Sequence, residues 1–213
     1  MAFPTTPTLD PLNRGDENPL ANGNWSGPLS LTFEQLQLVS NQIAGASDGV
    51  ASGSWWSTSQ FGPDCELGIP IPVIPTDHVT LHLRLTNPGA ANITGYRIGY
   101  SVSAGTFNHY FIERITSSTS SVSLASGTDL TLVAGDQIGF QLIGSTLALW
   151  LKQGAGAWSQ RVTANDANIT DAGFLALRVD DTTVRLGAPF GGTVPTSLPA
   201  PIGTIFRPCL RVY

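Results

Sequence analysis

Residues 127 to 187 constrain the fold more than any other stretch of the chain. Leu130 and Leu132 alternate with polar neighbours, a Gly135-Asp136 turn follows, and Ile138, Phe140 and Leu142 alternate with Gln137, Gly139 and Gln141. Gly144-Ser145 then reverses the chain into Leu147, Leu149 and Leu151. Side chains of a strand point alternately to its two faces, so apolarity with a period of two means strands with one buried face. Short glycine-containing turns between such runs make the neighbours antiparallel. The stretch reads strand, turn, strand, turn, strand, loop, strand, strand.

The same alternation recurs upstream. Residues 33 to 44 have a helix-like composition, but Leu36, Leu38 and Ile43 fit two strands around a Ser40-Asn41 turn better. In residues 64 to 74, Cys65, Leu67, Ile69, Ile71 and Val73 share one face, with Pro70 and Pro72 opposite. Proline donates no ladder hydrogen bond, so the far end of that strand is an edge or is unpaired. Val79, Leu81, Leu83 and Leu85 are expected inward, with His82 and Arg84 outward; Tyr96, Ile98, Tyr100 and Val102 are expected inward opposite Arg97, and Tyr110 and Ile112 inward in residues 107 to 116. The fold class is all-β, a two-sheet antiparallel sandwich in residues 10–187. An extended Pro/Thr-rich arm precedes it in residues 1–9, and a Gly/Pro-rich tail follows in residues 188–213, ending in the apolar segment IFRPCLRVY. Such a segment must dock on its own sheet edge or on a neighbouring subunit.

Composition narrows the partners. A chain of 213 residues is long enough for one sandwich with a sizeable core. Its net charge of -5 and single lysine, Lys152, leave no basic stripe for nucleic acid. No apolar run reaches membrane-spanning length, and the N-terminus MAFPTTPTLDPLN has neither the basic nor the apolar region of a secretory signal. Two cysteines, Cys65 and Cys209, are too few for a disulfide framework or a zinc site. They are either two buried thiols or one bond tying the tail to an inner strand.

The runs AGDQIGFQLIGSTLALWLKQGAGAW and ITDAGFLALRVDDTTVRLGAPFGG, with LDPLNRGDENPLANGNWS near the N-terminus, resemble the concanavalin A-like (laminin G-like) jelly rolls. Leu12 stands where that family usually has phenylalanine. The resemblance spans roughly residues 9 to 194 and implies a jelly roll of the kind found in tailed-phage virion proteins and carbohydrate-binding proteins. A virion surface or tail-associated protein, made in the host cytoplasm, is the function it suggests. Its partners would be other virion proteins, further copies of itself, or a cell-surface polysaccharide. A bacterial carbohydrate-binding module is the alternative, and a polysaccharide hydrolase or lyase the second alternative.

Ligands of such jelly rolls lie on a solvent-facing sheet surface. Glu66, His82, Arg84, Arg97, Gln141, Trp150 and Lys152 are the expected members of that surface, against the plain alternative of a solvated polar face. Trp55 and Trp56 must point to opposite faces. The family often holds a structural calcium, for which Asp10, Asp180 and Asp181, with Asp16 and Glu17, are placed by position; ordinary turn aspartates are the competing reading. No other cofactor is expected. Catalysis is not expected either. Glycoside hydrolysis needs paired carboxylates on one strand face, and the Glu-x-Asp-x-x-Glu and Glu-x-Asp-x-Glu runs of related glucanases are absent, as are the motifs of alginate lyases of similar fold. Glu113-Arg114 beside His109 and Tyr110 is the nearest mimic. Three Asn-x-Ser/Thr sequons, at Asn24, Asn92 and Asn168, carry weight only in a secreted protein.

Overall fold

The computed structural model describes residues 2–21, 23–74, 78–103 and 106–195. The predicted tail strand and Cys209 fall outside these residues. Fourteen strands and no helix are found among the described residues. In chain order the first seven are β1 (Trp25–Ser26), β2 (Gln37–Val39), β3 (Gln42–Ala44), β4 (Ser52–Trp56), β5 (Cys65–Pro70), β6 (Val79–Thr86) and β7 (Thr94–Ser103). The rest are β8 (Thr106–Ser117), β9 (Ser120–Gly127), β10 (Gln137–Ile143), β11 (Thr146–Lys152), β12 (Ser159–Asn165), β13 (Phe174–Val179) and β14 (Phe190–Thr193).

Two antiparallel sheets face each other. One has seven strands in the order β1-β4-β13-β6-β7-β8-β9, the other five in the order β12-β11-β10-β5-β14. The alternating residues meet between them. Leu67, Ile69, Phe140 and Leu149 come from the five-stranded sheet and Leu81, Ile98, Ile112 and Leu177 from the seven-stranded one, all fully buried. Tyr110 and Ile112 face this core, as their parity predicts. The third pairing is the β2–β3 hairpin, whose Ser40 and Asn41 both take positive φ (51° and 61°). Left-handed backbone at both turn residues matches the twist of the flanking strands.

Three expectations change. Leu130 and Leu132 form no strand: residues 128–136 carry the chain from one sheet to the other, with Leu132 buried as an anchor. The Gly135-Asp136 turn does form there, with Asp136 accepting from the backbone N–H groups of Val133 and Gly154 at 3.0 and 2.9 Å. The closing strand is reduced to isolated bridges, Ile43 with Leu186 and Val73 with Arg185. Beyond residue 187 the chain returns to the sheet as β14, pairing with β5 from Cys65 to Gly68. The other end of β5 lacks that neighbour at Pro70, where proline has no N–H to give.

The alternation also breaks at Arg84. The β6–β7 register shifts between Leu83 and Thr86, and Arg84 takes φ 50°. A bulge of this kind inserts a residue and reverses the parity beyond it. Leu85 consequently joins an apolar cluster with Leu29, Ile93, Ile115 and Ala176 on the outer face of the seven-stranded sheet rather than the main core.

Candidate functional site

The expected ligand residues do not share one surface. Glu66, Gln141, Trp150 and Lys152 belong to the five-stranded sheet; His82, Arg84 and Arg97 belong to the seven-stranded one. Alternation reports which parity is outward, but not which sheet a strand joins.

The outer face of the five-stranded sheet is covered by the N-terminal arm. Glu66 is fully buried. One of its oxygens accepts the backbone N–H groups of Thr5 and Thr6 at 2.5 and 2.8 Å and their hydroxyls at 3.1 and 2.8 Å; the other accepts Gln141 Nε2 at 2.8 Å. Phe3 stacks on Trp150 with ring centroids 5.2 Å apart. Glu66, Gln141 and Trp150 are therefore not free to grip a ligand while the arm is in place. Lys152 sits half-buried at the end of β11, opposite Gln137.

Arg84 is also withdrawn. Its bulge turns the side chain into the protein, where it is 1% exposed. The guanidinium donates to the carbonyls of Pro63, Ile169 and Gly144 at 2.6, 2.5 and 2.9 Å, and so ties three loops together. It has a structural role.

His82 and Arg97 remain, and they are neighbours. Register places Trp55, Ala176, His82, Arg97 and Glu113 in one row across β4, β13, β6, β7 and β8, all on the outer face. A pocket of about 160 Å³ opens above His82 and Arg97 of this row. Its floor holds His82 and Arg97, its apolar walls are Leu29, Phe33, Ile93 and Ile115, and the β8–β9 hairpin at Ser117–Ser121 supplies a rim of hydroxyls. Arg97 Nε and Nη2 both donate to one oxygen of Glu113, at 2.8 and 2.6 Å. Its guanidinium also lies 5.7 Å from the Phe111 ring centre, a cation–π distance. Arg178 is held by both oxygens of Asp180, at 2.8 and 2.6 Å, under the ring of Phe33.

His82 is the least conventional group here. It is 3% exposed. Nε2 is 2.9 Å from Thr80 Oγ1, and Nδ1 has no partner among the described residues. Burial, followed by the nearby positive charges of Arg97 and Arg178, holds its pKa well below the ordinary value. A neutral ring with one nitrogen unspent can meet a hydroxyl donor. The pocket thus offers the Arg97 guanidinium, hydroxyls and apolar walls, with the unpartnered His82 nitrogen buried in its floor. Sequence reading missed its walls, because residues 29 to 33 and 93 lie in loops that only the tertiary fold lays over the sheet. The Arg97–Glu113 pair was legible once β7 and β8 are taken as a hairpin in this register.

The expected metal ligands are spent elsewhere and are not grouped. Asp10 accepts from Arg14 at 2.7 and 3.1 Å, from the Leu12 N–H at 3.0 Å and from Trp25 Nε1 at 2.7 Å. Burial alone would raise its carboxyl; the hydrogen bonds from Arg14, Leu12 and Trp25 outweigh burial and hold it below its usual value. Asp180 is paired with Arg178, and Asp181 accepts the Thr183 N–H at 2.7 Å. Asp16 accepts the Ser40 N–H and Glu17 pairs with Arg14. Among the described residues no group of three or more His, Cys, Asp or Glu side chains comes together to hold a metal. Cys65 is buried in the core, where burial pushes its thiol up to about 12.

No protein-family model and no curated protein sequence matches the chain. Solved structures do. The lumenal domain of VIP36, in a form bound to calcium and a dimannose, superposes with a TM-score of 0.63 over 91% of this chain and 89% of its own, at 10% identity. Carbohydrate binding module CBM66 from Bacillus subtilis gives 0.53, covering 80% and 93%, at 15% identity. A legume lectin-like domain from Entamoeba histolytica gives 0.55, covering 81% and 91%, at 10% identity. The fold is therefore that of the concanavalin A-like lectin jelly rolls. At these identities the likeness is one of fold, and what the chain binds must be argued from its own surface.

Proposed function

We propose that this chain is a non-enzymatic glycan-binding module whose ligand lies on the outer face of the seven-stranded sheet. The observation that carries this reading is the pocket over His82 and Arg97, with its hydroxyl rim and apolar walls. A sugar presents hydroxyls around an apolar ring face. Arg97, held by Glu113, keeps further N–H donors for neighbouring hydroxyls, the serines of the β8–β9 hairpin supply more partners, and Ile93, Ile115 and Phe33 receive the ring face. The lectins and carbohydrate-binding module of like fold favour a glycan over other polyols.

A binding role suits the carboxylates better than a catalytic one. Glu113 is committed to Arg97, and no carboxylate lines the pocket among the described residues, whereas hydrolysis requires a pair. The finer assignment, carriage of this module on a virion surface or tail, rests on the sequence resemblance. A bacterial carbohydrate-binding module is the alternative, and immunogold labelling of purified particles separates the two.

The test is a panel of neutral oligosaccharides, mannose oligosaccharides among them, read by calorimetry against wild type and Arg97→Ala. At least one glycan should bind, and loss of the Arg97 contacts should weaken it at least ~10-fold, about 1.4 kcal/mol, with the melting temperature little changed. Binding indifferent to both Arg97→Ala and His82→Ala would place the ligand elsewhere. Release of reducing ends would overturn the non-enzymatic reading.

A further inference from the structure

Residues 28 to 35 line two cavities. Leu29, Ser30 and Phe33 wall the pocket over His82 and Arg97, whereas Pro28, Phe33, Glu34 and Gln35 face a separate cavity of about 400 Å³. Asn18, Pro19, Ala46 and Ser47 complete it. Backbone contacts fix these walls. Ser52, fully buried in β4, forms a parallel bridge with Glu34 and accepts the Ala46 N–H on its hydroxyl at 3.0 Å, so one residue holds two walls. The Glu34 N–H donates to the Ala51 carbonyl at 2.9 Å, and its own carbonyl accepts the Gly53 N–H at 2.8 Å. The Leu20 N–H donates to the Leu36 carbonyl at 2.6 Å and seats the Asn18-Pro19 wall; the Leu29 N–H donates to the Gly53 carbonyl at 3.0 Å and seats Pro28. Walls held in this way need no ordering when a ligand enters.

Glu34 is the one charged side chain lining this cavity among the described residues. It is half-buried, and its Oε2 is buried with no hydrogen-bond partner. The other three glutamates are all paired, Glu17 with Arg14, Glu66 with the N–H and hydroxyl groups of Thr5 and Thr6, and Glu113 with Arg97. A carboxylate partly withdrawn from water without a donor is unfavourable, and a cationic donor offsets that best. Arg178, against the Phe33 ring, does not serve, because both oxygens of Asp180 already hold it. The remaining lining is that of a site for a hydroxyl-bearing ring. The amides of Asn18 and Gln35 and the hydroxyl of Ser47 both donate and accept, while Pro19, Pro28 and Phe33 present apolar surface. A bare ammonium ion would use only the carboxylate.

We propose that this cavity binds an unacetylated amino sugar, with its ammonium group on Glu34 and its hydroxyls on Asn18, Gln35 and Ser47. The choice of a sugar as carrier of the ammonium group rests on the glycan-binding reading; the cavity itself is separate from the pocket over Arg97.

The test titrates the full chain with the disaccharide of glucosamine, at a pH that keeps its amines protonated, and with the N-acetylated disaccharide, which keeps the ring hydroxyls and loses the charge. The free amine should bind at least ~10-fold more tightly, and Glu34→Gln should remove that preference by weakening the free amine at least ~10-fold. Glu34→Gln takes away an unpartnered charge, so its melting temperature should not fall, and lost binding then reports the site rather than the fold. The same variant should bind neutral oligosaccharides at the Arg97 pocket as wild type does, so the two sites can fail separately. No binding of the amine by wild type, binding indifferent to Glu34→Gln, or binding lost on Arg97→Ala instead overturns the site. The amide of Nα-acetyl-lysine is the third titrant, an ammonium group without a sugar ring. It should bind at least ~10-fold more weakly than the glucosamine disaccharide, and equal affinity overturns the amino sugar as the ligand.

Discussion

His82 is a neutral histidine bought at the cost of burial. Because its folded pKa lies below the ordinary 6.5, the unfolded chain takes up a proton that the folded chain refuses. The linkage follows: stability is full above the unfolded pKa and declines as pH falls through it. Chemical denaturation midpoints should drop between pH 7.5 and 5, and His82→Gln should flatten that slope, in the window set by the ordinary histidine value. Asp166 acts in the opposite range. Burial would raise its carboxyl, but hydrogen bonds from Asn168, Tyr96 and Arg114 hold it at about 2. It stabilises the fold above the unfolded value of 3.8 and loses that contribution as pH falls towards 2. Asp166→Asn should therefore destabilise the protein at pH 7 and make little difference at pH 2.

At the scale of elements, the bulge in β6 and the covering arm each rest on a few contacts. Arg84 holds the carbonyls of Pro63, Gly144 and Ile169 from a buried position. Arg84→Met keeps the aliphatic stem but orphans three acceptors, and should cost about 3 kcal/mol in urea unfolding, since hydrogen bonds to a charged group contribute ~1.5–3 kcal/mol each and solvent recovers part of the loss. The arm is more easily separated from the sheet it covers. Gly139→Ala puts a methyl group into the Phe3 ring. It should release the arm to limited proteolysis ahead of residue 8 and lower stability by ~1–3 kcal/mol, the usual cost of overpacking.

For the whole molecule, the two outer faces are separate devices on one core. One carries the His82–Arg97–Glu113 row and the other the arm on Glu66 and Trp150. No residue named at one site touches the other. The effects of Arg97→Ala and Glu66→Ala on stability should therefore add within ~0.5 kcal/mol in the double variant, as for distant sites without shared partners. A larger coupling would mean that the core transmits strain between the sheets.

The sequence by itself determined the strands and their inward faces, because alternation is a local consequence of strand geometry: Leu67, Leu81, Ile98, Phe140 and Leu149 could be placed in the core before any partner strand was known. It also determined the β2–β3 turn, since Ser40 and Asn41 are read from their immediate neighbours. Only the tertiary structure decided which outward residues share a surface. Glu66 and Arg97 have the same parity signal, yet one lies beneath the arm and the other faces a pocket, because sheet membership depends on pairings between strands far apart in sequence. The bulge at Arg84 changed a predicted surface cation into a buried clamp through a register shift that no alternation pattern encodes. The pocket walls at Leu29, Phe33 and Ile93 come from loops, whose placement is set by long-range packing rather than by a local period.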